Sequence, residues 1–430
     1  MKRSENKTYQ KLKEKSEFFC TAKWNELYLY LNHGLTNSCH HPIPQEIPIE
    51  LARINPSVLH NTPHKLKQQE MMCKGLRPKE CHMCWHIEDS DPNAISDRLI
   101  KSSEDMDDIE ILSPDVSHKP KFVEVVFDNV CNLSCSYCDG GQSSTWANHT
   151  KKDPLVLQTD YRDLYSKVHI KPGSTIQELN DIWLRWFPEI KDNLKTLKIS
   201  GGEPLRSNNC WRFLESLDDN KHISLAINSN LVVKPASIEK ILTLSKKFKN
   251  LSVAASIDAP GEIGEYARQG LDYDLFMRNC ETFLNHAGDT RLGIQATINI
   301  LSVFGILDLF DMQIELKGKF GSKVKEIYVT MVRFPEFQSV SVLPKTIKMS
   351  LATKLHNWKD KNFIHLSENE QHYFNKVLSY LSNDPKPLVK LSPKALQKDL
   401  SSFIKYYDKY SKKSYKEIYP ESFVHWIGSL

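Results

Sequence analysis

The chain has 430 residues, enough for two or three domains that each bury a core of their own. Its apolar and charged fractions are those of an ordinary globular protein, and a net charge of +4 does not by itself imply a nucleic-acid partner. The basic start, MKRSENKTYQKLKEK, has no apolar stretch behind it, and no run approaches the roughly 18–20 apolar residues of a spanning helix, so a cytoplasmic location without membrane attachment is expected.

Five of the ten cysteines lie in the first 84 residues: Cys20, Cys39, Cys73, Cys81 and Cys84. Without an export signal, clustered cysteines read as metal or cluster ligands rather than as a disulfide framework. Tyr28–Leu31 reads as a strand running into a turn at Gly34, which lets Cys20 and Cys39 face each other across a hairpin. Cys81 and Cys84 form a CxxC turn, and four thiolates close either an iron–sulfur or a zinc site. His40 and His41 beside Cys39 keep zinc open, and Cys73 could replace any of the four cysteines. The polar stretch KSSEDMDDIE and the prolines after it read as a linker, so the expected division is 1–100, Cys-rich; 101–120, linker; 121–340, core; and 341–430, extension.

From 121 onward, short β-branched runs alternate with helical spacing. Candidate strands are 122–127, 194–199, 223–227, 251–257, 292–298 and 324–332, with helices around 176–187, 211–217, 238–244, 275–286 and 303–316. Six strands alternating with helices predict an α/β fold, a partial (β/α)6 barrel of parallel strands. The extension is expected to be mainly helical. Its end interleaves Lys405, Lys409, Lys412, Lys413 and Lys416 with Tyr406, Tyr407, Tyr410 and Tyr415. Such a pattern can track nucleic acid, but an amphipathic helix packing its tyrosines on the core is favoured. Cys210 and Cys280 occupy apolar helical positions and read as buried.

Just past the first core strand stands CNLSCSYC, with Cys131, Cys135 and Cys138. Three thiolates in one tight loop can cap three corners of a cubane and leave its fourth iron open. Structural zinc normally takes four ligands, and no further Cys or His follows until His149.

This CxxxCxxC loop resembles the defining motif of the radical SAM superfamily. Gly201, Gly202, Glu203 and Pro204 after the second strand resemble its GGEP motif, which in that family meets the methionyl ammonium of S-adenosylmethionine. Asn228 after the third strand, and Ser256 and Asp258 after the fourth, match cofactor-contacting positions; Arg268 resembles an arginine that pairs with the methionyl carboxylate. Tyr137 corresponds to an aromatic beside the adenine. The C-x13-G-x4-C pattern of Cys20, Gly34 and Cys39, with Cys81 and Cys84, is similar to the SPASM/twitch auxiliary domain, although that domain usually follows the core. The resemblance implies a 4Fe–4S cluster on Cys131, Cys135 and Cys138, S-adenosylmethionine as cofactor, and an auxiliary iron–sulfur cluster. It also implies a radical SAM enzyme with a peptide or protein substrate and an electron donor such as flavodoxin or ferredoxin. No catalytic acid or base is marked. The alternatives are a radical SAM enzyme acting on RNA or a nucleotide sugar, or a non-catalytic iron–sulfur or zinc binding protein; nucleic acid is not the favoured partner.

Overall fold

The computed structural model describes residues 3–383 and 391–430. Among these, the strands in chain order are β1 (Glu26–Tyr30), β2 (Leu35–Asn37), β3 (Gln45–Glu46), β4 (Phe122–Val126), β5 (Ser134–Cys135), β6 (Thr196–Ser200), β7 (Asn220–Ser229), β8 (Phe248–Ser256), β9 (Arg268–Gln269), β10 (Thr290–Ile298) and β11 (Tyr328–Met331). All six expected core strands form, and a helix stands at each expected helical span, with ends shifted by up to four residues.

The chain divides into two compact units. The first comprises Met1–Asp128, Ile170–Ser200 and Ser216–Leu225. Its sheet is mixed. β1 turns at Gly34 (φ +65°) into antiparallel β2, which pairs with β3. On its other side β1 lies parallel to β4, with Glu26 opposite Phe122 and Tyr30 opposite Val126, and β4 is parallel to β6. The helix Gly173–Ile190 buries Ile176, Leu179, Trp183, Trp186 and Phe187, an apolar stripe at helical spacing. A separate core gathers Phe19, Trp24, Met72 and Trp85, with Phe19 stacked on Trp24 at 4.5 Å.

This division differs from boundaries at 100, 120 and 340. The N-terminal residues share a sheet with β4, so they do not form a domain apart. Nor are residues 101–120 a free linker: Ile109 and Leu112 are buried, and Lys121 pairs with both Asp105 and Asp108. Burying those two side chains holds the acidic stretch against the unit.

The second unit comprises Asn129–His169, Gly201–Glu215 and Ala226–Leu430. Here β8, β10 and β11 are parallel, and β5 pairs antiparallel with β9. Leu251, Val253 and Ala255 of β8 and Leu292, Ile294 and Ala296 of β10 are buried. The helices Pro235–Ser245 and Tyr273–Asn285 pack against these strands. The alternate residues, Ser252, Ala254 and Ser256 with Gly293, Gln295 and Thr297, are small or polar and only half buried. Period-two alternation thus gives the strands one dry face and one face with room beside it. The extension is helical as expected, with helices Lys345–Asn362, Glu368–Ser382 and Pro393–Asp408. Among the described residues, no helix is long and apolar enough to cross a membrane.

Candidate functional site

In the second unit, the loop bearing Cys131, Cys135 and Cys138 is fixed carbonyl by carbonyl. Thr145 Oγ1 donates to Cys131 O at 2.8 Å and Ser143 Oγ to Leu133 O at 2.6 Å. The Ser134 carbonyl accepts from Tyr407 OH at 2.7 Å, and the Cys135 carbonyl from Trp146 Nε1 at 2.8 Å. Ser136 O accepts from Tyr165 OH at 2.9 Å and from Gln338 Nε2 at 2.5 Å. These side-chain bonds add to the backbone bonds the loop makes itself, such as that from Cys138 N to Cys135 O at 3.0 Å. The backbone of the loop is therefore held by side chains from outside it. None of these supporting side chains carries a sequence motif. Tyr407 alone had a signal, in the tyrosine-rich tail, and that tail packs inward as favoured.

The thiols respond to this confinement. Burial, and then the charge of Cys135, push Cys131 up to about 12. A hydrogen bond with Cys138 holds Cys135 below the ordinary thiol range and raises Cys138, whose burial raises it further. Thiols so placed become thiolates together only when a cation compensates them.

The other expected site residues converge in two groups. Glu203 is fully buried: its Oε1 accepts from Leu205 N at 3.1 Å and Ser229 Oγ at 2.8 Å, and its Oε2 from Asn230 N at 2.6 Å. Asn230 in turn directs Nδ2 to Asn132 Oδ1 at 3.1 Å and to Cys131 Sγ at 3.9 Å. Glu203 thus ties the GGEP turn to the loop after β7, and that loop to the first cysteine. Gly202 is required by contact, since a Cβ there would lie 2.4 Å from Val130 O and 2.8 Å from the Asn129 carbonyl carbon. Gly201 takes φ +127°, where a side chain is strained. Pro204 is buried and opens the short helical turn Pro204–Arg206.

The second group joins Tyr137, Asp258 and Arg268. Arg268 Nη1 donates to Tyr137 OH at 2.6 Å and lies 3.2 Å from Asp258 Oδ1; Tyr137 OH donates to Asp258 Oδ2 at 3.0 Å. Burial pushes the Asp258 carboxyl up, while Arg268 and the Thr297 amide draw it back. Arg268 faces Cys135 across the β5–β9 pair. Its Nε is buried without a partner among the described residues, leaving one donor for a further group. Asn228 and Ser256 lie at half-buried positions on β7 and β8.

In the first unit, Cys20, Cys39, Cys81 and Cys84 line one cavity of about 30 Å³. Cys81 ends a 3-10 turn and Cys84 lies in the first turn of the helix His82–Ser90, so the i, i+3 spacing presents both on one side. Burial pushes Cys20 up to about 12, with the charges of Cys81, Cys39 and Cys84 adding to it. Cys73, held open as a fifth candidate, is not among the lining residues. Lys23, Arg98 and Lys101 line the cavity, whereas their partners Glu80, Glu88 and Glu26 do not. The three cations line it with their stems and are neutralised by those carboxylates, while their charges still reach the sulfurs: Arg98 favours the thiolate of Cys20, and Lys101 and Lys23 that of Cys39. His41 also lines the cavity, and His40 and His41 both meet Asp97, at 3.2 and 2.7 Å. Among the described residues, only this trio of Cys, His, Asp or Glu brings its ligand atoms within 4.8 Å of one another.

No known family model matches the sequence, and no curated protein matches it. Among solved structures, the chain is similar to Streptococcus suis SuiB bound to S-adenosylmethionine, with 17% identity, a TM-score of 0.36, and coverage of 78% of this chain and 69% of that one. It is also similar to a second structure of Streptococcus suis SuiB, with 16% identity, the same TM-score, and coverage of 78% and 68%. Both likenesses are distant.

Proposed function

We propose that the chain is a radical SAM enzyme with an auxiliary iron–sulfur site, its core strands forming a partial (β/α)6 barrel. The observation that carries this reading is the Cys131–Cys138 loop, three sulfurs on a backbone whose carbonyls are bonded from outside. Cys131, Cys135 and Cys138 would hold a 4Fe–4S cluster with one iron free of protein ligands. S-adenosylmethionine on that iron would supply a deoxyadenosyl radical after one-electron reduction.

The chain's own residues bind and orient. Gly201 and Gly202 let the turn after β6 close against the Asn129–Val130 backbone beside the cysteine loop, which would set the turn within reach of a cofactor there. Glu203 holds Ser229 and Asn230 against the cysteine loop. Arg268 is steadied by Asp258 and Tyr137 and keeps its Nε for an acceptor, for which a carboxylate is well suited. Asn228 and Ser256, on the half-buried strand positions, suit cofactor contact.

Cys20, Cys39, Cys81 and Cys84 would close the auxiliary site. Four thiolates around one cavity suit either zinc or an iron–sulfur cluster, and the radical SAM resemblance of the Cys131–Cys138 loop favours iron–sulfur. A peptide or protein is the proposed substrate class.

Two anaerobic measurements test the reading. Reconstituted protein should bind about eight irons, and a Cys131/Cys135/Cys138→Ala variant about four. Dithionite and S-adenosylmethionine should yield 5′-deoxyadenosine from the wild type. Full iron occupancy without that product would reduce the chain to a binding protein. About four irons and one zinc would reassign the N-terminal cysteines.

A further inference from the structure

The cysteine loop is buried on one side, but its outer side reaches a cleft. Asn132 and Ser134 line a cavity of about 400 Å³ within the second unit, together with Thr145, His149, Tyr410 and Lys412. Around it run exposed lysines from two elements. Lys151 and Lys152 end the helix Ser144–Lys152, and Lys405 and Lys409 lie one turn apart on the helix Pro393–Asp408 with its C-cap. The two elements meet where Tyr406 OH donates to Asp153 O at 2.7 Å and Tyr410 OH to Asp153 Oδ2 at 3.2 Å.

Aromatic rings connect this rim to the loop. Trp146, whose indole nitrogen bonds the Cys135 carbonyl, stacks on Tyr406 with 6.2 Å between centroids and a 9° tilt. Tyr406 lies 5.3 Å from Tyr410, and Tyr410 stacks on His149 at 3.9 Å. The carboxylates on the opposite wall are engaged internally: Glu262 with Lys413, Glu265 with the Tyr273 amide, and Asp272 as the cap of Tyr273–Asn285. Asp153 offsets Lys409 at 3.3 Å, while Lys151, Lys152, Lys405 and Lys412 face solvent.

We infer that this basic rim is the docking face for an acidic one-electron carrier, a small flavin or iron–sulfur protein, and that the Trp146–Tyr406–Tyr410–His149 stack is the route from it to the cysteine loop. The inference rests on the proposed cluster at Cys131, Cys135 and Cys138. One electron leaves the carrier's reduced cofactor and is gained by the cluster; no bond forms or breaks and no proton moves. Opposite net charges on the facing surfaces steer such an encounter and make its rate depend on ionic strength.

The test uses the full chain, anaerobically reconstituted, with a reduced acidic flavodoxin as the probe in stopped flow. Reduction by dithionite, which needs no protein contact, serves as the reference for each sample. Wild-type reduction by flavodoxin should slow at least tenfold between low and high salt. A Lys152→Glu/Lys405→Glu/Lys412→Glu variant should be at least tenfold slower than wild type at low salt and bind oxidised flavodoxin correspondingly less tightly. A Tyr410→Leu variant should retain the binding but transfer electrons more slowly. Salt-independent reduction, or unchanged rate and binding in the charge-reversed variant, would overturn the docking face. So would loss of RNA binding in that variant with carrier reduction intact, which would give the face to RNA. A wild type showing no dithionite-reducible signal from this cluster would instead remove the functional reading beneath it.

Discussion

Replacing Gly202 by alanine should disrupt the cysteine loop through backbone collision alone. The added Cβ would stand 2.4 Å from the Val130 carbonyl oxygen, about 1 Å inside the ~3.3 Å at which C–H···O contacts begin. It would also lie 2.9 Å from Asn129 O. Neither obstacle is a side-chain end that can swing aside. Val130 O accepts from Glu203 N at 2.7 Å and Asn129 O from Ser144 N at 2.7 Å, so relief requires lengthening these bonds beside Cys131. Overpacking of this kind costs about 1–3 kcal/mol. For a domain of this size that is a loss of roughly 2–12 °C in Tm. The assay is differential scanning fluorimetry together with iron bound after anaerobic reconstitution. Gly318→Ala is the comparison: it lies within the helix Ile306–Phe320, has nothing within 4 Å of an added Cβ, and should stabilise by up to about 1 kcal/mol. A Gly202→Ala protein with wild-type iron content and a melting temperature within about 1 °C of wild type would refute the reasoning.

Tyr407→Phe removes the hydroxyl that donates to Ser134 O at 2.7 Å and to Ala267 O at 3.2 Å; stability should fall by about 1–3 kcal/mol, measured by thermal melting, with faster iron loss to a chelator. Cys39→Ser should lower bound iron while Cys73→Ser leaves it unchanged, since only the former lines the cavity; colorimetric iron and sulfide assays decide it. Lys23→Met should weaken retention of the proposed N-terminal cluster, because it removes a buried cation whose charge acts on Cys20, Cys39 and Cys81 and takes from Glu80 its lysine partner; chelator-resistant iron is the readout. Burial would raise Glu88, but hydrogen bonds and charge from Arg98 outweigh it and hold the carboxyl below its ordinary range. Stability from this pair is present above the unfolded value of about 4.3 and is lost as pH falls through the depressed folded value. Melting temperature should therefore drop more steeply from about pH 5 to 3 in the wild type than in Glu88→Gln, and parallel curves would sink the assignment.

The parts of the site that sequence made visible are local ones. Cys131, Cys135 and Cys138 share one loop, and the turn at Gly34 follows from a short strand meeting a glycine. The core strands were legible because their buried residues alternate, as Leu251, Val253 and Ala255 do. What holds the loop was not legible. Trp146 bonds it from 11 residues away and Tyr407 from 273, and neither distance leaves a periodic trace. The parallel pairing of β1 with β4 was missed for the same reason: ELYLY looks like half of a hairpin, and its second partner comes nearly a hundred residues later. Lys23, Arg98 and Lys101 carry no motif that marks them as lining the cysteine cavity.

The seating of β1 against β4 bears on how this protein can be cut. A chain begun near residue 121 would retain CNLSCSYC but strip its leading strand of a neighbour, baring a row of amide and carbonyl groups from Phe122 to Val126. Raw edges of that kind recruit other chains, so such a fragment should aggregate rather than fold as a smaller independent protein. The cysteines before and after β1 are therefore not cargo on a detachable cassette; they flank a strand that covers the edge of β4.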